Sequence, residues 1–125
     1  EWTGKMADLG IKLFMPSDTI GSSNAASITA VYGLLTREFP SLQVGAHLHT
    51  TPNTWKEKMD AAWENGCRRF DSAIKGFGGC PMAKDELTGN MPTEKLISYF
   101  TAQKVVTGIK PMSFESAYNQ ALKTF

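Results

Sequence analysis

The run Leu42-Gln43-Val44-Gly45-Ala46-His47-Leu48-His49 decides the fold of this chain, because a helical pattern from Pro52 to Asn65 follows it almost at once and stops at Gly66. In the first stretch Val44, Ala46 and Leu48 alternate with Gly45, His47 and His49, the period of a strand. In the second, Trp55, Met59, Ala62 and Trp63 share one helix face, with proline at the start and glycine at the stop. Upstream, Ile11-Lys12-Leu13-Phe14-Met15 reads as a short buried strand closed by Pro16-Ser17-Asp18, which leaves Asp18 at its C-terminal end. A helix from Asn24 to Phe39 follows, with Ile28, Val31, Leu35 and Phe39 as its apolar stripe, Asn24 or Ser27 as N-cap and Pro40 beyond. Downstream come a third strand at about Arg68 to Ile74, a glycine-rich loop from Gly76 to Asn90 and a helix at about Thr93 to Lys104. A last helix is expected from Ser113, whose hydroxyl would cap the pattern Phe114, Ala117, Tyr118, Ala121, Leu122 and Phe125.

Strands that alternate with helices in this way predict an α/β fold with a parallel sheet and right-handed crossovers. No linker or low-complexity segment interrupts residues 1–125, which are expected to form one unit. Three strands fit either a small open α/β domain or a piece of a (β/α)₈ barrel, which typically needs ~250 residues. The pattern alone leaves both open.

Composition narrows the function classes. The chain has 125 residues, 42% hydrophobic and 20% charged, in the range of globular proteins. Its 13 basic and 12 acidic side chains nearly cancel and form no run, so nucleic acid and anionic membrane surfaces are not expected partners. No apolar stretch approaches the ~18 residues of a membrane span, and the first residues carry no signal-peptide pattern. A cytoplasmic location is expected, or the mitochondrial matrix in a eukaryote. Cys67 and Cys80 are too few and wrongly spaced for a disulfide framework or a Cys-x-x-Cys site.

His47 and His49 are the only histidines, and strand alternation puts both on one face, so they can converge on one ion. The plainer alternative is two histidines satisfied separately. In a parallel sheet Asp18 would lie on the same rim, unless it only shapes its turn. Asp71, ending the third strand, is expected to be partly buried and to pack or orient a neighbour rather than react. Around Cys80 the segment Gly76-Phe77-Gly78-Gly79-Cys80-Pro81 lets backbone approach a ligand and puts a thiol on an accessible loop, where proton transfer or nucleophilic attack is feasible. A phosphate-cradling loop is set aside because the Gly-Lys-Ser/Thr ending is missing. Cys67 reads as a small core residue.

Taken together, Asp-Thr-Ile-Gly at 18–21, His-x-His at 47–49, Asp-Ser at 71–72, Gly-Phe-Gly-Gly-Cys-Pro at 76–81 and Gly-Asn at 89–90 resemble the C-terminal part of hydroxymethylglutaryl-CoA lyases, over about residues 8 to 100. That resemblance implies the C-terminal portion, about three βα units, of a (β/α)₈ barrel whose N-terminal half is absent from this chain. It implies that His47, His49 and Asn90 bind a divalent cation, Mg²⁺ or Mn²⁺, while the affinity order for two imidazoles with oxygen ligands makes Zn²⁺ a competitor. Cys80 is implied as proton donor or acceptor; from their own placement, Gly78 and Gly79 are read as a substrate loop and Asp18 as a further catalytic candidate. The reaction implied is cleavage of 3-hydroxy-3-methylglutaryl-CoA to acetoacetate and acetyl-CoA. Related aldolases or Claisen synthases share His-x-His and Gly-Asn but not Gly-Gly-Cys-Pro, and a catalytically incomplete barrel piece that only self-associates is the non-enzymatic alternative. Two departures from the family stand out: Thr50-Thr51 follows His-x-His where an Asp is usual, and the Cys-to-Asn spacing is one residue longer. The family's first-strand Asp and Arg and second-strand Glu have no counterpart here. Expected partners are therefore an acyl-CoA substrate and either further copies of the chain or the missing half of the barrel.

Overall fold

The computed structural model describes residues 1–79 and 88–125. Its elements are α1 (Trp2–Asp8), β1 (Leu13–Phe14), β2 (Ser17–Asp18), α2 (Ala25–Glu38), β3 (Gln43–Thr50), α3 (Trp55–Glu64), β4 (Arg69–Phe70), a 3₁₀ turn (Ile74–Gly76), β5 (Gly89–Asn90), α4 (Thr93–Ala102) and α5 (Pro111–Thr124). The expected alternation is present, with β3 as the hub of the sheet.

β1 and β2 pair with β3 in parallel in one continuous register, Leu13 beside Gln43 and Ser17 beside His47. The first strand therefore runs past Pro16 to Asp18 instead of ending at Met15. Pro16 lacks an N–H but still accepts from His47 N and from the Tyr32 hydroxyl, which ties α2 to the break between β1 and β2. Gln43 and His47 bond toward Lys12 and Pro16, whereas the carbonyls of Ala46 and Leu48 accept from Asp71 and Met91. Alternate residues of β3 thus serve opposite edges, one edge taking β1 and β2 and the other β4 and β5.

Two expectations about strands are corrected. The third strand is shorter than Arg68 to Ile74, continuing beyond Phe70 only through the Asp71 N–H and a bridge between Ala73 and Pro92. The end of the glycine-rich stretch is a strand, and an antiparallel one: β5 sets Asn90 beside His49 and Gly89 beside Thr50. Glycine at 89 has a steric cause, since a Cβ there would stand 2.6 Å from the Gly76 carbonyl oxygen.

Asn24 caps α2 with a reciprocal pair of bonds to Ser27, so both cap candidates act together. The buried stripe of α2 contains Ile28 and Tyr32, while Val31 is 45% exposed beside an open cleft of about 340 Å³. In α3 Met59 and Ala62 are fully buried, as the helix pattern requires, and Trp55 and Trp63 flank the core. Val44, Ala46, Leu48, Cys67, Met91, Leu96 and Tyr99 complete this core, each large side chain contributing about 1.5–3 kcal/mol by its burial. The last helix starts at Pro111 and not at Ser113, with no side-chain cap, because proline at the first helical position replaces an N–H that would have no partner anyway. Neither α1 nor α5 contains a buried residue. Among the described residues no helix is long and apolar enough to cross a membrane.

Candidate functional site at the rim of β3

The C-terminal end of β3 is where its neighbours bring polar groups together. His47 and His49 project from one face, with ring centroids 5.3 Å apart and planes inclined at 68°. Each imidazole is fixed through Nδ1. His49 Nδ1 lies 3.0 Å from the Asp18 carbonyl oxygen, and since a carbonyl can only accept, this nitrogen carries the proton. The Nε2 lone pair of His49 is then available for a ligand. His47 Nδ1 makes a longer contact, 3.4 Å, with Asp71 Oδ2, which favours the same tautomer. Asp71 is more exposed than its strand position predicts, with 48% of its side chain open, because β4 has ended at Phe70 and, among the described residues, no further strand covers it. Its contact to His47 can orient that ring.

Asn90 stands beside His49 in the β3–β5 ladder. Its Nδ2 donates to the carbonyl oxygens of Phe77 and Gly78, each at 2.8 Å. With the nitrogen committed, Oδ1 is the atom of this amide that could serve as a neutral oxygen ligand. Gly78 has φ +79°, and a Cβ there would be 3.0 Å from Asn90 Nδ2; at Gly79 a Cβ would be 2.8 Å from the Thr88 carbonyl. The packing of this turn against residues 88–90 is thus sufficient reason for glycine at both positions. Cys80 lies outside the described residues.

Asp18, the further catalytic candidate, lies at the end of β2 with its side chain turned to partners of its own. Its side chain is 6% exposed and accepts from Lys58 Nζ at 2.6 Å and from the Ser23 amide at 3.1 Å and hydroxyl at 2.5 Å. Burial would raise the pKa of this carboxyl, but the Lys58 ammonium and the two Ser23 donors outweigh it and hold the group below its ordinary value. The Asp18 carboxylate is tied to α3 through Lys58 and to the β2–α2 turn through Ser23.

Lys58 and Ser23 are the participants that sequence reasoning missed. Lys58 sits three residues after Trp55 and four before Ala62, on the buried side of α3, and is 1% exposed. A cation on an apolar stripe was the available signal. Ser23 carried none beyond its place in the β2–α2 turn.

The donor set is two imidazole nitrogens and one amide oxygen, each oriented by a hydrogen bond from its other end. Among the described residues no three His, Cys, Asp or Glu side chains converge, so a cation held here would need oxygen ligands from elsewhere as well. Two nitrogen donors and oxygens suit Mn²⁺ and Zn²⁺ and can accommodate Mg²⁺, and the residues present fit a divalent cation.

The architecture and rim define the class: about three βα units of a (β/α)₈ barrel, with polar groups gathered at the C-terminal ends of the strands. The chain belongs to the HMGL-like family, whose model matches residues 1–120. It is 36% identical over 102 residues to the (R)-citramalyl-CoA lyase of Chloroflexus aurantiacus, covering 82% of this chain and 32% of that protein. With the hydroxymethylglutaryl-CoA lyase of Pseudomonas mevalonii it shares 30% identity over 105 residues, 84% of this chain and 35% of the relative. The crystal structure of the HMG-CoA lyase of Bacillus subtilis superimposes with a TM-score of 0.86 at 30% identity, over 98% of this chain and 41% of that one. The chain therefore spans about a third of the length of these curated relatives.

Proposed function

We propose that this chain supplies the cation-binding rim of a carbon–carbon lyase that cleaves 3-hydroxy-3-methylglutaryl-CoA to acetoacetate and acetyl-CoA. The observation that carries the reading is the rim itself, where His47 and His49 are each held through Nδ1 and Asn90 through Nδ2, leaving two Nε2 atoms and one Oδ1 for a ligand. Magnesium or manganese ranks first, with zinc as competitor. Such a cation, when bound, supplies Lewis acidity toward the substrate's hydroxyl and carbonyl oxygens.

Cleavage requires transfer of the C3 hydroxyl proton to a base, which the rest of the barrel or solvent would supply, rupture of the C2–C3 bond with C3 becoming a ketone, and protonation of the departing thioester enolate at C2. His47, His49 and Asn90 would hold that cation beside the substrate oxygens. The Cys80 thiol is assigned the proton donation, since a group of thiol acidity, ~8.5 before perturbation, suits a carbanion near neutral pH. Asp18 receives no proton-transfer role, because its carboxylate is enclosed by Lys58 and Ser23. An acyl-CoA is the substrate partner, and the rest of a barrel, in the same or another chain, would supply the remaining ligands.

A second reading rests on the 36% identity to a citramalyl-CoA lyase. Citramalyl-CoA undergoes the same bond rupture but has one methylene fewer in its acid arm and yields pyruvate. The deciding experiment incubates the full-length protein with each thioester and Mg²⁺ or Mn²⁺, and assays acetyl-CoA together with acetoacetate or pyruvate. Acetoacetate release that His49→Ala abolishes supports the first reading, and pyruvate alone supports the second. Cleavage of neither, with condensation of acetyl-CoA onto a keto acid instead, would replace both by a synthase.

A further inference from the structure

Among the described ion pairs, Lys58–Asp18 is the one with both side chains buried, at 1% and 6% exposure. Taking these charges out of water costs several kcal/mol each, and an apolar pair of similar volume is often as stable. Stability alone therefore does not account for the pair, but geometry does. An ammonium has three donors, and Lys58 directs them to Asp18 Oδ2 at 2.6 Å, the Gly21 carbonyl at 3.0 Å and the His49 carbonyl at 2.9 Å. The carbonyl of the same Asp18 receives the His49 Nδ1 proton. One cation thus grips the backbone of His49 directly and its imidazole by way of the β2 end and the turn at Gly21.

We propose that Lys58 is a positioning residue for His49, holding the ring as the Nδ1–H tautomer with Nε2 turned to the rim. The inference deepens the reading of His49 as a cation ligand and rests on it for its consequence in binding. Lys58 touches neither substrate nor cation. It acts by fixing two points of the residue that does.

The test uses the full-length protein and the double variant Lys58→Met/Asp18→Asn, which removes both charges at nearly constant volume. In the metal-free state ¹⁵N spectra of the imidazoles should show His49 as the Nδ1–H form in wild type and as a tautomer mixture in the variant. The signal that His49→Gln removes is assigned to His49. Calorimetric Mn²⁺ titration should show affinity weakened about 10- to 100-fold, the usual effect of losing an orienting partner, at a denaturation midpoint near wild type. Lys58→Arg serves if the double variant does not fold. It keeps the charge, but a planar fork cannot reach three divergent acceptors, so the same loss of affinity is expected. Unchanged His49 tautomer and unchanged Mn²⁺ affinity in a folded variant would overturn the role of Lys58. Wild-type Mn²⁺ binding indifferent to His49→Ala would instead overturn the metal reading, while the tautomer measurement would still decide what Lys58 does.

Discussion

Asn90→Asp changes one atom's identity and almost no volume, yet it should separate the two tasks of this side chain. Asn90 Nδ2 donates to the Phe77 and Gly78 carbonyl oxygens at 2.8 Å each, and its backbone N–H donates to Gly78 at 3.1 Å. Aspartate puts a carboxylate oxygen where the donor was, facing two acceptors. Loss of two such bonds costs about 1–3 kcal/mol at a net 0.5–1.5 kcal/mol each, before any repulsion between oxygens. If that energy holds the Phe77–Gly78 turn against β5, opening of the Asn90 amide should become ~5- to ~150-fold more frequent, at one decade per 1.4 kcal/mol. Amide hydrogen exchange followed by mass spectrometry on peptides spanning Phe77–Gly79 and Gly89–Met91 reads this directly. Cation affinity should fall less than the loosening implies, because the new carboxylate contributes charge. Wild-type exchange at Asn90 in a folded Asn90→Asp protein would refute the claim that the Nδ2 bonds set the turn and thereby the direction of Oδ1.

Three further outcomes follow from the same geometry. Gly76→Ala meets φ +68° and a Cβ only 2.7 Å from the Asn90 carbonyl oxygen, so it should lower stability by at least about 1–2 kcal/mol and weaken Mn²⁺ binding together, as denaturant midpoints and titration would show. The Cys67 thiol is pushed by burial from 9.0 up to about 11, so its contribution is complete below the unfolded pKa and is lost as pH rises through that interval. Denaturation midpoints should therefore fall as pH rises above 9, with about 2–3 kcal/mol of the fall by about pH 11 due to Cys67; Cys67→Ala should remove that share, leave the share of the raised Tyr32 and Tyr99 hydroxyls above pH 10, and lower stability at neutral pH. Finally, Trp2, Leu9, Val106, Met112 and Phe125 are each more than two-thirds exposed, so the 125-residue chain should elute above monomer mass in size-exclusion chromatography with light scattering, and a concentration-independent monomer would refute that expectation.

Much of the fold was legible because burial is periodic. The alternation in Val44 to His49 and the stripe through Trp55, Met59, Ala62 and Trp63 each describe a surface that one neighbour covers, and the element followed from the period. What was not legible depends on more than one neighbour. Val31 satisfies the helical period as well as Tyr32 does, but the sheet covers the Tyr32 side, and no local pattern reports which side is covered. β5 is two residues long, too short to show alternation, and exists because β3 offers Leu48 and Thr50 along an edge that β4 has already left. Ser113 looked like a cap, whereas Pro111 starts the helix two residues earlier.

The candidate site divides along the same line. His-x-His on a strand states its own geometry, since two residues two apart must share a face. What orients the groups around those imidazoles comes from three different connections: Asp18 at the end of β2 fixes one Nδ1, Asp71 after β4 orients the other, and β5 brings Asn90 into register beside His49. Lys58 adds a fourth, reaching from α3 to hold the carbonyl of His49 and the carboxylate of Asp18 at once. Each of these is separated in sequence from the residue it serves, and none announces its partner. A pair of histidines can thus be read from a strand, while the direction in which their lone pairs point belongs to the packed rim. Changes at Lys58, Asp71 or the Phe77–Gly78 turn should accordingly alter ligand geometry without touching a ligand.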